Sequence, residues 1–214
     1  MQKEKSQKTT KRNAALTRAK IIEIATTEFA DNSYAGARVD NIVKKSGISK
    51  NLLYYHFSSK ENLFVEVLEE AYAKLRAYHK KIIIRDLSSV EGVKELVRFT
   101  FQYFIDHPEF LSLVNTENLY FAKHLKKSKK IQEMYNPLID NLGHLLQKGA
   151  SEAIFKPGIN PIELYISIVG LGYFYLSSQH TLSVIFDIDL STDEHLETRR
   201  EHMIDVILGY LSLN

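Results

Sequence analysis

No cysteine occurs among the 214 residues. Disulfides are therefore excluded, as are zinc sites built on cysteine, and the absence fits a reducing compartment. Long apolar runs are missing too. The most apolar stretch, IELYISIVGLGYFYL (162–176), is too short and starts too polar to span a bilayer. The charged opening MQKEKSQKTTKRNAAL lacks the apolar core of a secretory signal. These absences lead us to expect a cytoplasmic protein with no membrane partner. Enzymatic patterns are equally scarce. There is no H-E-x-x-H, no E-x-x-H di-metal pattern and no phosphate-cradling glycine loop, and the eight histidines are scattered without ligand spacing. We therefore expect no catalytic residues, no metal and no cofactor.

What is present is 44% hydrophobic and 25% charged residues, the balance of a globular domain. Charge is unevenly placed. Residues 1–60 carry 12 Lys/Arg against 5 Asp/Glu, whereas residues 61–214 carry 16 against 21. A basic front and an acidic back suit a chain whose N-terminal end meets a polyanion, although a solvated tail over 1–12 would give the same arithmetic.

Helical periodicity recurs almost throughout, and period-two strands with hairpin turns do not. Ile21, Ile22, Ala25 and Phe29 mark a first helix over about 13–32. Val39, Ile42 and Val43 mark a short second one, ended by Gly47. Ser49 can cap a third, with Leu52, Leu53 and Phe57 as its apolar side. Ser58 and Glu61 read as a capping box opening a long helix to about residue 81. Ser88 with Glu91, Asn160 before Pro161, and Ser191 with Glu194 mark later starts, and Pro108 another. Pro137 either kinks a helix over about 128–151 or restarts it. The stretch 154–160 reads as a loop, and the basic cluster KHLKKSKK (123–130) as a solvated helix end or loop. The expected fold class is all-α, with about nine helices. It divides into a basic disordered tail (1–12), a DNA-binding domain (13–62) and a larger helical domain (63–214).

Two short helices joined by a turn containing glycine make a helix-turn-helix, whose second helix packs with one side and enters a major groove with the other. That dual duty explains GISKNLLYYHFSSKENLF (47–64), where apolar residues alternate with a crowded polar, aromatic face. Leu53 and Phe57 would face inward. Lys50, Asn51, Tyr54, Tyr55 and His56 would stay open, offering charge, hydrogen bonds and flat surface to phosphates or base edges. Lys60 would meet phosphate beside the free N–H groups of the next helix. On spacing alone, a merely amphipathic packing element remains the competing reading.

The run SKxxLYYHFxSKExLF, with Ile21, Ala25, Phe29, Tyr34, Val39, Ile42 and Gly47 before it, resembles the DNA-binding region of the tetracycline-repressor (TetR) family of bacterial transcriptional regulators. The resemblance implies a homodimeric repressor, bound to a palindromic DNA operator and released by a small-molecule effector not identified by the sequence. Lys50, Asn51 and Tyr54 would reach bases or nearby phosphates, and Tyr55, His56 and Lys60 would hold the backbone. Arg38, Val39 and Ser49 complete the expected DNA-binding set. Two departures stand out. Ser33 stands where a glycine usually ends the first helix, so Asn32 or Ser33 has to take a left-handed conformation. Arg38 replaces the usual Thr or Ser at an N-cap and loses the cap.

Aromatics cluster in FTFQYF (99–104), YF (120–121) and YFY (173–175). An aromatic-lined effector pocket and plain core packing both account for them. The candidate ligand residues are Phe104, His107, Asn118, Phe121, Tyr173 and His180. The helix from Ile162 to Leu176 leaves few polar positions on any side, and the last helix carries a matching apolar stripe, as a dimer interface would. Tyr165, Ile168, Val169, Gly172, Met203, Val206, Ile207 and Tyr210 are its candidate residues. The rival function classes are a helical small-molecule-binding protein and a non-specific DNA-coating protein.

Overall fold

The computed structural model describes residues 2–79 and 87–213, with side chains from residue 13 onward. Among them are nine α-helices: α1 (Gln2–Gly36), α2 (Val39–Ser46), α3 (Lys50–Phe57), α4 (Lys60–His79), α5 (Ser89–Asp106), α6 (Pro108–Leu119), α7 (Lys129–Ser151), α8 (Pro161–Phe186) and α9 (Asp193–Leu211). A single 3₁₀ turn, Leu125–Lys127, precedes α7. The one β feature among the described residues is an isolated bridge between Phe155 and Ser212. The all-α expectation holds. The tail expected as disordered is instead continuous with α1, which begins at Gln2. The expected end of α4 near residue 81 lies outside the described residues.

The chain divides into two compact units, Met1–Tyr72 with Ser112–Lys129, and Ala73–Leu111 with Lys130–Asn214. A boundary at 62/63 thus does not anticipate that α4 runs through both units, or that residues 112–129 return to the first.

In the first unit, Ile21, Ala25 and Phe29 of α1 are buried with Ile42, Leu53, Phe57, Leu63, Phe64 and Leu68. Their three-to-four-residue spacing puts each set on one helix face, as burial requires. Helix α1 is interrupted at Ser33 (φ 55°, ψ 177°). The sequence demanded a positive φ there, but the backbone is extended rather than left-handed helical, a region that only glycine enters without strain. Beyond the break, Tyr34 lies 5.1 Å from the Phe64 ring and 4.4 Å from that of His124. The lysines of the basic cluster are exposed, as expected of a solvated loop, but His124 within it is buried. Buried Glu117 accepts the backbone N–H of His124 (2.7 Å) and of Leu125 (2.8 Å), and the His124 Nδ1–H at 2.7 Å. Lys127 pairs with Glu61 at 2.6 Å.

In the second unit, α5 packs on α8 and α9, and α8 on α9. Val93, Leu96, Val97 and Phe101 meet Leu142, Leu145, Leu164, Ile168, Met203 and Ile207 in one core. Ser88 and Asn160 cap as expected, accepting from Glu91 N–H and from Ile162 and Glu163 N–H. Pro137 lies inside α7, which continues through it. Two caps move by one residue. Ser59, not Ser58, caps α4 by accepting the Asn62 N–H at 3.0 Å, because Ser58 turns to φ 61° to close α3. Thr192, not Ser191, caps α9 by accepting from His195 N–H; Ser191 hydrogen-bonds Asp189 instead.

Candidate nucleic-acid interface

Helices α2 and α3 form the expected helix-turn-helix. Gly47, at φ 70°, ends α2 in a left-handed conformation and returns its N–H to the Val43 carbonyl. Ser49 accepts the Leu52 N–H at 3.2 Å and starts α3. Leu53 and Phe57 are fully buried and fix which side of α3 faces in. Leu52, expected on the apolar side, points out. The N-terminal and outer surface of α3 is then Lys50, Asn51, Leu52, Tyr54 and Tyr55, all exposed, with His56 half-buried. Tyr55 is 81% exposed, and its ring meets that of His56 edge-on at 5.4 Å. Among the described residues the Tyr55 ring contacts no aromatic but its neighbour His56.

The interface is held from behind by a residue that spacing alone did not single out. Glu28 of α1 is 1% exposed. Its Oε1 accepts the Arg38 N–H (3.1 Å) and the Asn41 amide (2.9 Å), and its Oε2 pairs with Lys45 at 3.2 Å. Burial alone would raise its pKa. The Asn41, Arg38 and Lys45 hydrogen bonds and the Lys45 charge outweigh that and hold the carboxyl below its ordinary range. Arg38 makes no side-chain cap, as expected, and Glu28 stands in by gripping the start of α2. The signal was available, because Glu28 falls seven residues after Ile21 and three after Ala25, on the buried stripe.

The cations are not equally free. Lys50 is held by Asp40 at 2.7 Å on the exposed surface, and this bond raises its pKa. Lys60 lies half-buried at the start of α4, with Nζ 4.9 Å from the centre of the Tyr34 ring and 3.5 Å from the Ala35 carbonyl. Burial lowers its pKa, against the opposing charge of Glu28. Val39 is half-buried, and the Ser49 hydroxyl is committed to its cap.

The other candidate residues do not form one site. Phe104 is core, packed parallel to Phe110 at 6.0 Å. His107 stacks on Tyr103 at 4.3 Å and bonds Glu109. Phe121 is 85% exposed, Asn118 and His180 are exposed, and Tyr173 is half-buried. Of the dimer candidates, Ile168, Gly172, Met203 and Ile207 are buried in the protomer's own core. Tyr165 and Val169 are half-buried, whereas Val206 and Tyr210 are exposed. The exposed apolar face of α8 is a different stripe, Ile162, Ile166 and Phe174. Of that stripe Phe174, with Gly170, Val206 and Tyr210, borders an open groove of about 690 Å³. Among the described residues no group of three or more His, Asp or Glu could hold a metal, and no helix is long and apolar enough to cross a membrane.

Comparison with known proteins agrees with this geometry. The family model described as bacterial regulatory proteins of the tetR family matches residues 21–67, and that of the tetracyclin repressor-like C-terminal domain matches residues 90–207. The chain is 31% identical over 175 residues to the HTH-type transcriptional repressor NicS of Pseudomonas putida, covering 82% of each chain. It is 30% identical over 141 residues to the HTH-type transcriptional regulator QacR of Staphylococcus aureus, covering 65% of this chain and 69% of that one. A solved TetR regulator from Chloroflexus aurantiacus superposes with TM-score 0.70 at 19% identity, over 95% of this chain and all of the other, which speaks for the fold.

Proposed function

This chain belongs to the TetR family of bacterial transcriptional regulators, and on that premise we propose that it is an operator-binding repressor that works as a homodimer in the cytoplasm. It is a regulator and not an enzyme. The observation that carries the reading is the outer face of α3. Lys50, Asn51, Tyr54 and Tyr55 stay open while Leu53 and Phe57 are spent on packing. Asn51 and Tyr54 would read base edges or adjacent phosphates. Tyr55, His56, Arg38 and Lys60 would hold the backbone, Lys60 beside the free N–H groups of α4. Lys50 would exchange Asp40 for DNA.

Two copies would pair through the exposed stripe of α8 and the open side of α9. A large apolar face left in water favours such pairing, and a two-fold axis would present two α3 helices to successive major grooves of a palindrome. A small molecule held in the C-terminal unit would act on α4, which carries residues of both units. A hundredfold loss of operator affinity needs only about 2.8 kcal/mol of differential binding.

Selection of bound sequences from a random duplex pool by the purified protein tests this reading. The expected result is a palindrome with half-sites about one helical turn apart. Tyr54→Ala and Lys60→Ala should weaken binding to it. Lys60→Ala should also reduce the slope of log affinity against log salt by about 1.8, one phosphate contact being lost from each protomer. Binding without an enriched motif would favour a DNA-coating role, and unchanged affinity in both variants would remove α3 and α4 from the interface.

A further inference from the structure

Arg76 is 5% exposed, inside the C-terminal unit. Among the described residues no carboxylate pairs with it. Its Nε donates to the Met134 carbonyl at 3.1 Å, and its guanidinium lies 5.3 Å from the centre of the Tyr135 ring. Its Nη1 meets His79 Nδ1 at 3.1 Å, and His79 Nε2 meets Thr100 Oγ1 at 3.0 Å. Arginine can only donate, so His79 Nδ1 accepts and the ring proton sits on Nε2. That proton goes to Thr100, whose hydroxyl donates to the Leu96 carbonyl at 2.7 Å. The chain of donors therefore runs one way, outward from the guanidinium. It requires a neutral His79, and burial together with the Arg76 charge does push its pKa down to about 3.

Such a cluster orients the arginine without neutralising it. Every partner is neutral: a carbonyl, an imidazole, a hydroxyl and an aromatic face, with Tyr165 5.9 Å from Tyr135 behind it. Guanidinium removed from water without an anion is unfavourable. Nη2 makes no hydrogen bond among the described residues. With Nε and one Nη1 proton engaged, the Nη edge remains, and it matches the two oxygens of a carboxylate. Helices α4, α5, α7 and α8 all contribute to the cluster, so the guanidinium is tied to four helices of the unit.

We propose that the effector is a small organic carboxylate whose two oxygens are received by Arg76. This rests on reading the C-terminal unit as effector-binding. A purely structural role would make Arg76 a tie between α4 and the Met134 carbonyl, indifferent to ligand charge.

The test is calorimetric titration of the full-length protein with benzoate, phenylacetate, cinnamate and hexanoate, each beside its primary amide. Release of the operator recovered from the duplex pool is measured in parallel. At least one acid is expected to bind 30-fold or more tighter than its amide and to release DNA. Arg76→Gln is expected to remove that preference while operator binding stays within threefold. Arg76→Lys keeps the charge without the fork and is expected to retain a reduced preference, which preserves the test should the Gln variant not fold. Equal affinity for acid and amide, no binding by any of the acids, or an undiminished preference in a folded Arg76→Gln would overturn the proposal. Carboxylate capture by a protein that holds no operator would uphold the anion site and sink the repressor reading. Operator binding with a response to amides alone would do the reverse.

Discussion

Glu28 and Arg38, ten residues apart, are joined by a 3.1 Å hydrogen bond from the Arg38 backbone N–H to the Glu28 carboxylate. The same carboxylate holds Asn41 and Lys45, so one buried acid on α1 sets the position of α2 and, through the turn at Gly47, of α3. Glu28→Ala leaves these donors without their acceptor, and we expect a loss of about 2–4 kcal/mol in chemical denaturation. Because the folded carboxyl titrates below its ordinary range, this contribution is complete above about pH 4.3 and is lost as pH falls through the folded value. The Ala variant should therefore approach wild type in acid. A constant difference from pH 7 down to pH 2.5 would remove Glu28 from this role.

In the proposed complex Lys50 would exchange Asp40, its partner at 2.7 Å, for the operator. Asp40→Asn removes both the competing partner and a negative charge from the DNA-facing side. We expect it to tighten operator binding several-fold at low salt, with the thermal midpoint unchanged because the pair is exposed. Weaker binding by this variant would mean that Asp40 orients Lys50 productively in the complex.

Phe174 is 61% exposed on α8, in the stripe we propose as the face between two copies. Phe174→Glu should yield a folded monomer by sedimentation, with operator affinity reduced at least about a hundredfold because each half-site is then held alone. A variant that stays dimeric would place the interface elsewhere.

His79 gives the C-terminal unit its own pH dependence. Its pKa is lowered from about 6.5 to about 3, so the folded unit resists a proton that the unfolded chain accepts. The stabilisation is complete above about pH 6.5 and falls towards pH 3, by about 1.4 kcal/mol for each pH unit within that window. Denaturant midpoints measured from pH 7.5 to pH 5 should show this slope in the wild type and not in His79→Gln. Parallel slopes would mean that His79 is not held neutral.

Much of the first unit was legible. The spacing of Val39, Ile42, Leu53 and Phe57, the turn at Gly47 and the cap at Ser49 follow from local chemistry, which neighbours along the chain complete by themselves. The break in α1 was visible only through the family resemblance, which left Asn32 and Ser33 as alternatives and implied a left-handed rather than an extended backbone. Less was visible where two adjacent residues could do the same work. Ser58 or Ser59, and Ser191 or Thr192, offer the same hydroxyl, and the choice turns on which of them leaves the helical backbone.

Residue order by itself determined the helices, their caps to within one position and the residues that crowd α3, because these depend on interactions a few residues apart. Tertiary structure alone decided the rest. Periodicity shows that α8 is apolar on more than one side, but not that Ile168 and Gly172 serve the protomer while Ile166 and Phe174 face outward. Nor does any local rule bring Glu28 beneath α2, or Arg76 and His79 beside Thr100 and Met134. Distant segments have to converge to hold or orient a buried charged group, and that convergence belongs to the packed chain.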